Sequence, residues 1–338
     1  MIQTVPDLLS LFNSLRPPPD ISEGGIRFSA HRLRGYPNHH LGKDSAGNPA
    51  LLVAVRPDAL HIRPVPIVLE NLTVQHDVDC QLQQPDGTLR TGCFSVIRCL
   101  GADRALHEYF IRAVTPVVLT IHASSSQTDI AQAISSLVEL FRLLSMPPRK
   151  TIQGVWAELF IIVQSSDPAQ LIRSWHAVPE DRYDFCAGEQ RIEVKSATGR
   201  FRCHHFSLEQ LRPPSGVSVL VTSLFVERAA GGDTVFDLVE QLRPQLYEAP
   251  QLLARVDQVV GATLGSGWRQ ASEFRFDRQL AADSLRFFES AVIPCVNSQL
   301  PPEVTEVRFR SDLSRVPVVD LAARALEGGL FQAVHHTS

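Results

Sequence analysis

The order of helical and extended segments between residues 128 and 242 constrains the fold more than any other feature of the sequence. Apolar residues recur every three or four positions from Thr128 to Leu144, which predicts an amphipathic helix. A second helix is predicted over about 150–163, and Asp233 is predicted to cap a third. Strands are predicted between the second and third helices, at 183–186, 191–196, 204–208 and 217–226. This alternation of helices and strands predicts an α/β fold.

The regions on either side of this block have different patterns. Short β-like runs separated by turn signals such as Asn48-Pro49 and Asp86-Gly87 predict a β-rich N-terminal region over 1–102. A helix that begins near Asp103 opens the predicted core over 103–250. In the last part, 251–338, one helix mixes with β-like runs, which predicts a mixed α/β C-terminal region. Those β-like runs lie at 273–276, 285–289 and 304–309.

The composition places the chain among globular proteins. Hydrophobic residues make up 44% of its 338 residues and charged residues 20%, which excludes collagen-like, coiled-coil and wholly disordered classes. No apolar run approaches the roughly 18 residues that a membrane span needs, and the start of the chain lacks the marks of a signal peptide. Six cysteines without a CxxC pair indicate reduced thiols. We therefore expect a soluble cytoplasmic protein with no membrane partner.

Two carboxylates and a lysine form the strongest functional signal. If 191–196 is a strand, Glu193 and Lys195 point to the same face, because side chains alternate along a strand. Asp184 ends the preceding predicted strand, and a turn at 187–188 would fold it back beside Glu193. Neighbouring carboxylates repel unless a cation lies between them, and oxygen ligands favour Mg²⁺ or Mn²⁺ over zinc. A metal beside a lysine is suited to phosphodiester hydrolysis.

These residues resemble the signature of the PD-(D/E)xK nuclease superfamily, in which an Asp is followed by Glu-x-Lys. Here Asp184, eight intervening residues and then Glu193-Val194-Lys195 carry the resemblance. Superfamily cores also contain a preceding helix with a glutamate, which Glu158 supplies. Tyr183 stands where the motif's name has proline, at a site of wide variation. More narrowly, the block from Gly154 to Leu211 is similar to a bacterial family described only as PD-(D/E)xK motif proteins, and the resemblance covers about 100–250.

The resemblance implies a restriction-endonuclease-like core at 103–250, with a mixed central sheet flanked by helices. It implies a Mg²⁺-dependent DNA endonuclease, with Mn²⁺ as a substitute, in a bacterial restriction or phage-defence system. Asp184, Glu193 and the Val194 carbonyl would bind the metal, Glu158 would be a further ligand or a water-mediated contact, and Lys195 would be the catalytic lysine. Because double-strand cleavage needs two cuts, we expect a homodimer or a subunit of a defence complex.

A locally basic stretch follows the motif. The net charge is −4, so any nucleic-acid site must be a local patch. Arg200, Arg202 and His205 are candidates for phosphate contacts, although a charge-rich loop is often simply solvated. Gln210 is a candidate for orienting a water or phosphate, and a structural hydrogen bond is an equally good interpretation.

The bias against lysine supports Lys195 independently of the family. The chain has 29 arginines and three lysines, so a lysine at this position suggests a need for a compact point charge. A Glu-x-Lys tripeptide alone is common on solvated strands, and the site prediction depends on Asp184 and Glu158 lying in the right order. The alternative function is a catalytically inactive DNA-binding or scaffold subunit of a defence complex.

Overall fold

A computed structural model describes residues 5–19, 26–33, 36–54, 65–120, 127–176, 182–296, 301 and 303–335. The chain divides into two units, Met1–Met146 and Pro147–Ser338, at a pair of adjacent prolines. This boundary differs from those expected at 102/103 and 250/251. Two helices after residue 103 pack within the first unit, and strands after residue 251 pair with strands of the expected core.

The first unit contains a closed barrel. Its strands are β1 (Ile26–Leu33), β2 (Tyr36–Lys43), β3 (Pro49–Ala54), β4 (Ile67–Val68), β5 (Leu72–Gln83) and β6 (Leu89–Cys99). The order β1-β2-β3-β6-β5 is antiparallel throughout, and β5 then pairs with β1 in parallel, which closes the ring. β4 pairs with β5 beyond this ring. Apolar side chains of alternating strand positions fill the interior: Phe28, Ala30, Ala50, Leu52, Cys80, Leu82, Phe94 and Val96.

Three helices complete the first unit: α1 (Val5–Ser14), α2 (Arg104–Thr120) and α3 (Gln127–Leu143). The Asp103 carboxylate accepts a hydrogen bond from the Ala105 amide, which explains why α2 begins there. α2 contacts α1, α3 and strands β3 and β6. α3 confirms the amphipathic helix predicted over 128–144, and its apolar stripe is buried.

The second unit is mixed α/β. Its elements are α4 (Ile152–Gln164), α5 (Pro168–Ser174), β7 (Phe185–Ala187), β8 (Gln190–Ala197), β9 (Cys203–Ser207), α6 (Leu208–Leu211), β10 (Ser218–Phe225), β11 (Arg228–Asp233), α7 (Val235–Leu242), α8 (Pro250–Leu264), α9 (Trp268–Glu273), α10 (Arg278–Ser284), β12 (Arg286–Glu289), β13 (Arg308–Asp312), α11 (Leu321–Ala325) and α12 (Gly329–Val334). The main sheet has the order β12-β10-β8-β7, in which β8 and β10 are parallel and the edge pairs antiparallel. β9 and β13 form a separate antiparallel pair.

The hairpin β7–β8 and the helix α4 position the residues of interest. Gly188 adopts a φ of +51° in the turn of the hairpin, a conformation that glycine reaches without strain. Phe185 then pairs with Ile192, as the predicted turn required. α4 is capped by Thr151, whose hydroxyl accepts from the Gly154 amide at 3.1 Å. Every residue from 155 to 162 is buried, so α4 is a core helix.

Two expectations in the second unit are wrong in detail. Thr234, and not Asp233, caps α7: its hydroxyl accepts from the Asp237 amide, while Asp233 is the last residue of β11. The run 273–276 is not a strand, because α9 continues to Glu273 and only Phe276 forms isolated bridges. Across the described ranges, no helix combines the length and the apolar character that crossing a membrane requires.

Candidate metal centre

Glu158 lies in the apolar helix α4 and is 2% exposed. A carboxylate in such a place must be hydrogen-bonded or paired. Its Oε1 accepts from the Lys150 ammonium at 2.8 Å, and its Oε2 accepts from the Trp175 indole at 2.7 Å. The His176 Nε2 lies 3.1 Å from the same Oε2. The residue therefore does not project from the helix surface as an ordinary solvated charge.

Asp184 directly precedes β7 and is 6% exposed. Its Oδ1 accepts from the Lys150 ammonium at 2.5 Å, and its Oδ2 accepts from the Val194 amide at 2.7 Å. The Asp184 backbone carbonyl accepts from the His176 amide. The hairpin thus places Asp184 against β8, and Lys150 joins Asp184 to Glu158.

Glu193 and Lys195 share one face of β8, as the alternation along a strand predicts. Glu193 is 5% exposed, and its Oε1 lies 2.6 Å from the Lys195 Nζ. The Lys195 side chain is 18% exposed and its ammonium lies over the Phe206 ring at 5.0 Å. The second Glu193 oxygen, Oε2, has no hydrogen-bond partner in the part of the chain that the structure describes. It is therefore a donor oxygen available to a further cation.

Gln210 ties Glu193 and Lys195 to the helix α6. Its amide nitrogen donates to the Glu193 Oε1 at 2.7 Å, and its carbonyl oxygen accepts from the Lys195 ammonium at 3.4 Å. Gln210 and Ser207 also form a capping box at the start of α6. The Tyr183 hydroxyl donates to the Glu209 carbonyl at 3.1 Å. Gln210 therefore makes structural hydrogen bonds within the site.

The charges of the site compete with burial for control of each pKa. Burial raises the pKa of Glu158, but Lys150 and His176 outweigh it and lower the pKa to about 2. Burial, and then Glu158, raise the pKa of Asp184 above its ordinary value despite Lys150. Burial, and then Asp184, raise the pKa of Glu193 to about 7 against the pull of Lys195. Three buried carboxylates thus compete for the available positive charge.

The donor set fits a hard divalent cation. Among the described residues, one group of His and acidic side chains has ligand atoms that all lie within 4.8 Å of one another: Glu158, His176 and Asp184. Glu193 is outside this group but on the adjacent strand, with its free Oε2. The carboxylate oxygens suit Mg²⁺ or Mn²⁺, while the His176 imidazole is a donor of the kind that Zn²⁺ and Fe²⁺ prefer. The role of the Val194 carbonyl as a ligand stays a prediction, while the Val194 amide holds Asp184.

The three residues that were expected to contact phosphate are not members of the acidic cluster. Arg202 donates to the Ser223 carbonyl and hydroxyl and to the Ser284 carbonyl, and its guanidinium lies over the Phe225 ring. Arg200 is exposed after β8. His205 is exposed on β9, opposite Arg310 of β13. Their role in nucleic-acid binding stays a prediction.

Sequence reasoning missed two residues of the cluster, Lys150 and His176. The scarcity of lysine was a usable signal, because the argument that singled out Lys195 applies equally to Lys150, one of three lysines in the chain. His176 gave no such signal. It follows α5 by two residues, and only the fold brings it to Glu158, 18 residues earlier in the chain.

Together the fold and the site define a mixed α/β protein in which a hairpin and a buried helix bring together acidic residues and lysine. A family model described as "Putative PD-(D/E)XK family member" (DUF4420) matches residues 11–314. The chain belongs to this family, as the motif indicated. No curated protein and no solved structure matches the chain significantly.

Proposed function

We propose that this protein is a Mg²⁺-dependent endonuclease that hydrolyses phosphodiester bonds in DNA, with Mn²⁺ able to replace Mg²⁺. The observation that carries the proposal is the convergence of three buried carboxylates with Lys195 beside them. Membership of a PD-(D/E)XK family supports a nuclease-like activity. A role in a bacterial restriction or phage-defence system is the setting we propose for it.

Asp184, Glu158 and Glu193 would hold the cation, with His176 as a neighbouring nitrogen donor. A bound Mg²⁺ supplies polarisation of a phosphoryl oxygen and lowers the pKa of water. During hydrolysis a water oxygen bonds to phosphorus, the P–O bond to the sugar breaks, and the proton that the water loses is balanced by one taken up by the leaving sugar oxygen. Negative charge grows on the phosphoryl and leaving oxygens before that proton arrives. The Lys195 ammonium stabilises that charge. Gln210 fixes the positions of the Lys195 and Glu193 side chains relative to each other through its two hydrogen bonds.

A nonenzymatic DNA-binding or scaffold subunit is the second candidate. The observation that favours it is that Lys150 already bridges Glu158 and Asp184, so part of the carboxylate charge is balanced within the chain. Both candidates use DNA as a partner. For cleavage of two strands we propose a homodimer or a complex, because each chain contributes one such cluster among its described residues.

The test is cleavage of supercoiled and linear DNA by the purified protein in Mg²⁺, in Mn²⁺ and in chelator. We compare wild type with Asp184→Asn, and use Glu303→Gln as the matched control because Glu303 is exposed. The proposal expects metal-dependent cutting in wild type and control and its loss in Asp184→Asn. Equal cutting by all three proteins would indicate a contaminant. No cutting by a wild type that binds Mn²⁺ and DNA would favour the scaffold.

A further inference from the structure

Lys150 is the most exposed of the described side chains that contact the buried carboxylates. Its side chain is 37% exposed, whereas the Glu158 and Asp184 side chains that it joins are 3% and 8% exposed. Its backbone is anchored on both sides: the Arg149 amide donates to the Thr263 carbonyl, and Thr151 caps α4. The ammonium can therefore leave the carboxylates by rotation of its side chain while the backbone stays in place.

The remaining oxygens of the two carboxylates have rigid partners. The Glu158 Oε2 accepts from Trp175, which is almost fully buried, and the Asp184 Oδ2 accepts from the Val194 amide within β8. The other two oxygens, Oε1 of Glu158 and Oδ1 of Asp184, both accept from the Lys150 ammonium. A cation that binds both carboxylates through these oxygens must replace the ammonium.

We propose that the Lys150 ammonium is a tethered counter-ion that occupies part of the divalent-cation position and leaves it when the cation binds. The inference rests on the proposed metal-dependent function. An ammonium and a divalent cation that share these two oxygens would lie within a few ångströms of each other, where like charges repel strongly in a buried site. Lys150 thereby keeps the carboxylates together without metal and lowers the affinity of the site for metal.

The first test is Mn²⁺ binding measured by isothermal titration calorimetry on Lys150→Met, which keeps the length of the side chain and removes its charge. We expect the Kd for Mn²⁺ to fall about tenfold, because a competing charge is gone. Arg149→Met is the matched control. It removes an exposed neighbouring charge that contacts neither carboxylate, and screening should limit its effect to about twofold.

Thermal unfolding of the same proteins shows whether each variant is folded before its Mn²⁺ affinity is compared with that of wild type. Without metal, Lys150→Met should melt below wild type, because two buried carboxylates lose their shared cation. Saturating Mn²⁺ should raise the Tm of Lys150→Met more than that of wild type. An unchanged or weaker Mn²⁺ affinity in a folded Lys150→Met would overturn the proposal, since it would mean that Lys150 and the cation bind side by side.

A second test uses the wild-type protein alone. The chain has three lysines, so an acylating reagent and mass spectrometry can follow Lys150, Lys195 and Lys43 separately. We expect saturating Mn²⁺ to speed acylation of Lys150 several-fold and to leave Lys43 unchanged, because Lys43 donates to a backbone carbonyl in the first unit. Slower or unchanged acylation of Lys150 in protein that calorimetry shows to be saturated would contradict displacement.

These outcomes separate the two proposals. If Lys150→Met binds Mn²⁺ more tightly than wild type but wild type cleaves no DNA, the counter-ion proposal is supported and the nuclease proposal is wrong. If wild type cleaves DNA but wild type and Lys150→Met bind Mn²⁺ with equal affinity, the nuclease proposal is supported and the counter-ion proposal is wrong. If neither protein binds Mn²⁺, both proposals fall.

Discussion

The two units bury acidic side chains in different ways. In the described part of the first unit, the one buried acidic residue is Asp44, at the turn between β2 and β3. Its oxygens accept from the amide and side chain of Asn48, four residues away. In the second unit, Glu158, Asp184 and Glu193 come together from separate elements. Asp44 accepts both hydrogen bonds from its own turn and has a cation, Arg98 of β6, at 3.8 Å, whereas the second unit brings three carboxylates together from separate elements.

This difference distinguishes a carboxylate that a nearby turn can bind from carboxylates whose burial depends on neighbouring cations. A local turn satisfies its carboxylate at little cost in folding free energy. Several buried carboxylates in one place are costly unless cations offset them, and a well-packed apolar core would be as stable or more so. The cost is understandable if the charges bind a cation and act on a substrate. Each prediction below tests whether packing dominates the first unit and charge the second.

The largest effect we expect is on catalysis in the second unit. Lys195→Ala should lower the rate of DNA cleavage about 10²–10³-fold, because the mutation removes a preorganised positive charge from the site. The measurement is single-turnover cleavage at saturating Mg²⁺. Arg315→Ala, at an exposed position, is the matched control for loss of one positive charge. Equal rates for Lys195→Ala and wild type would show that the charge of Lys195 does not serve hydrolysis.

The next effect is on stability in the first unit. Phe28 is fully buried inside the barrel, and Phe28→Ala should lower the free energy of unfolding by about 3–5 kcal/mol through lost packing and a cavity. Urea unfolding measures the loss. The same variant, still folded at low temperature, should bind Mn²⁺ with wild-type affinity. A changed Mn²⁺ affinity would show that packing in the first unit and metal binding in the second unit are not independent.

The parts of the molecule that the sequence predicted are those that depend on local patterns. Strand alternation placed Glu193 and Lys195 on one face, and the turn at Gly188 placed Asp184 beside them. The periodicity of 128–144 located α3. The unit to which α3 belongs was missed, because helical periodicity shows which face is buried but not against which neighbour.

The closure of the barrel and the full cluster depend on long-range contacts. The parallel pairing of β1 with β5 joins residues more than fifty positions apart, which no local pattern encodes. Lys150 reaches Asp184 across 34 positions. The scarcity of lysine marks Lys150 as unusual, but its contacts with Glu158 and Asp184 depend on the fold and follow from no local pattern.

A smaller effect concerns pH. Among the described residues, each unit has one buried histidine whose pKa is lowered to about 4, first by burial and then by nearby positive charges: His40 in the first unit and His204 in the second. As the pH falls, the unfolded chain binds a proton at the histidine before the folded chain does. The contribution of such a histidine to the free energy of unfolding is therefore fully present above pH 6.5 and is lost as the pH falls toward 4. The contribution of His204 to the unfolding free energy should fall by about 2 kcal/mol from pH 7 to pH 5, while Glu193, whose pKa is raised to about 7, contributes with the opposite sign.

His204→Asn is the variant that sharpens this comparison. It removes the titrating ring next to the Ser223 hydroxyl, so the unfolding free energy of the variant should rise by about 2 kcal/mol relative to wild type as the pH falls from 7 to 5. His40→Asn should flatten the dependence in the first unit alone. Urea titrations at pH 5, 6 and 7 measure both slopes. Unchanged slopes in both variants would mean that other groups set the acid sensitivity.

The smallest effect concerns Tyr183, at the position of the motif's proline. Its hydroxyl donates to the Glu209 carbonyl and so holds α6, whose Gln210 bonds Glu193 and Lys195. Tyr183→Phe should cost about 1 kcal/mol or less of stability and lower kcat about two- to fivefold with KM unchanged, because Lys195 becomes less well oriented. Gln210→Glu, which keeps the size of the side chain but turns the donor toward Glu193 into an acceptor, should lower kcat further. If Tyr183→Phe lowers stability while kcat stays the same, the hydroxyl supports the fold of α6 and not the position of Lys195.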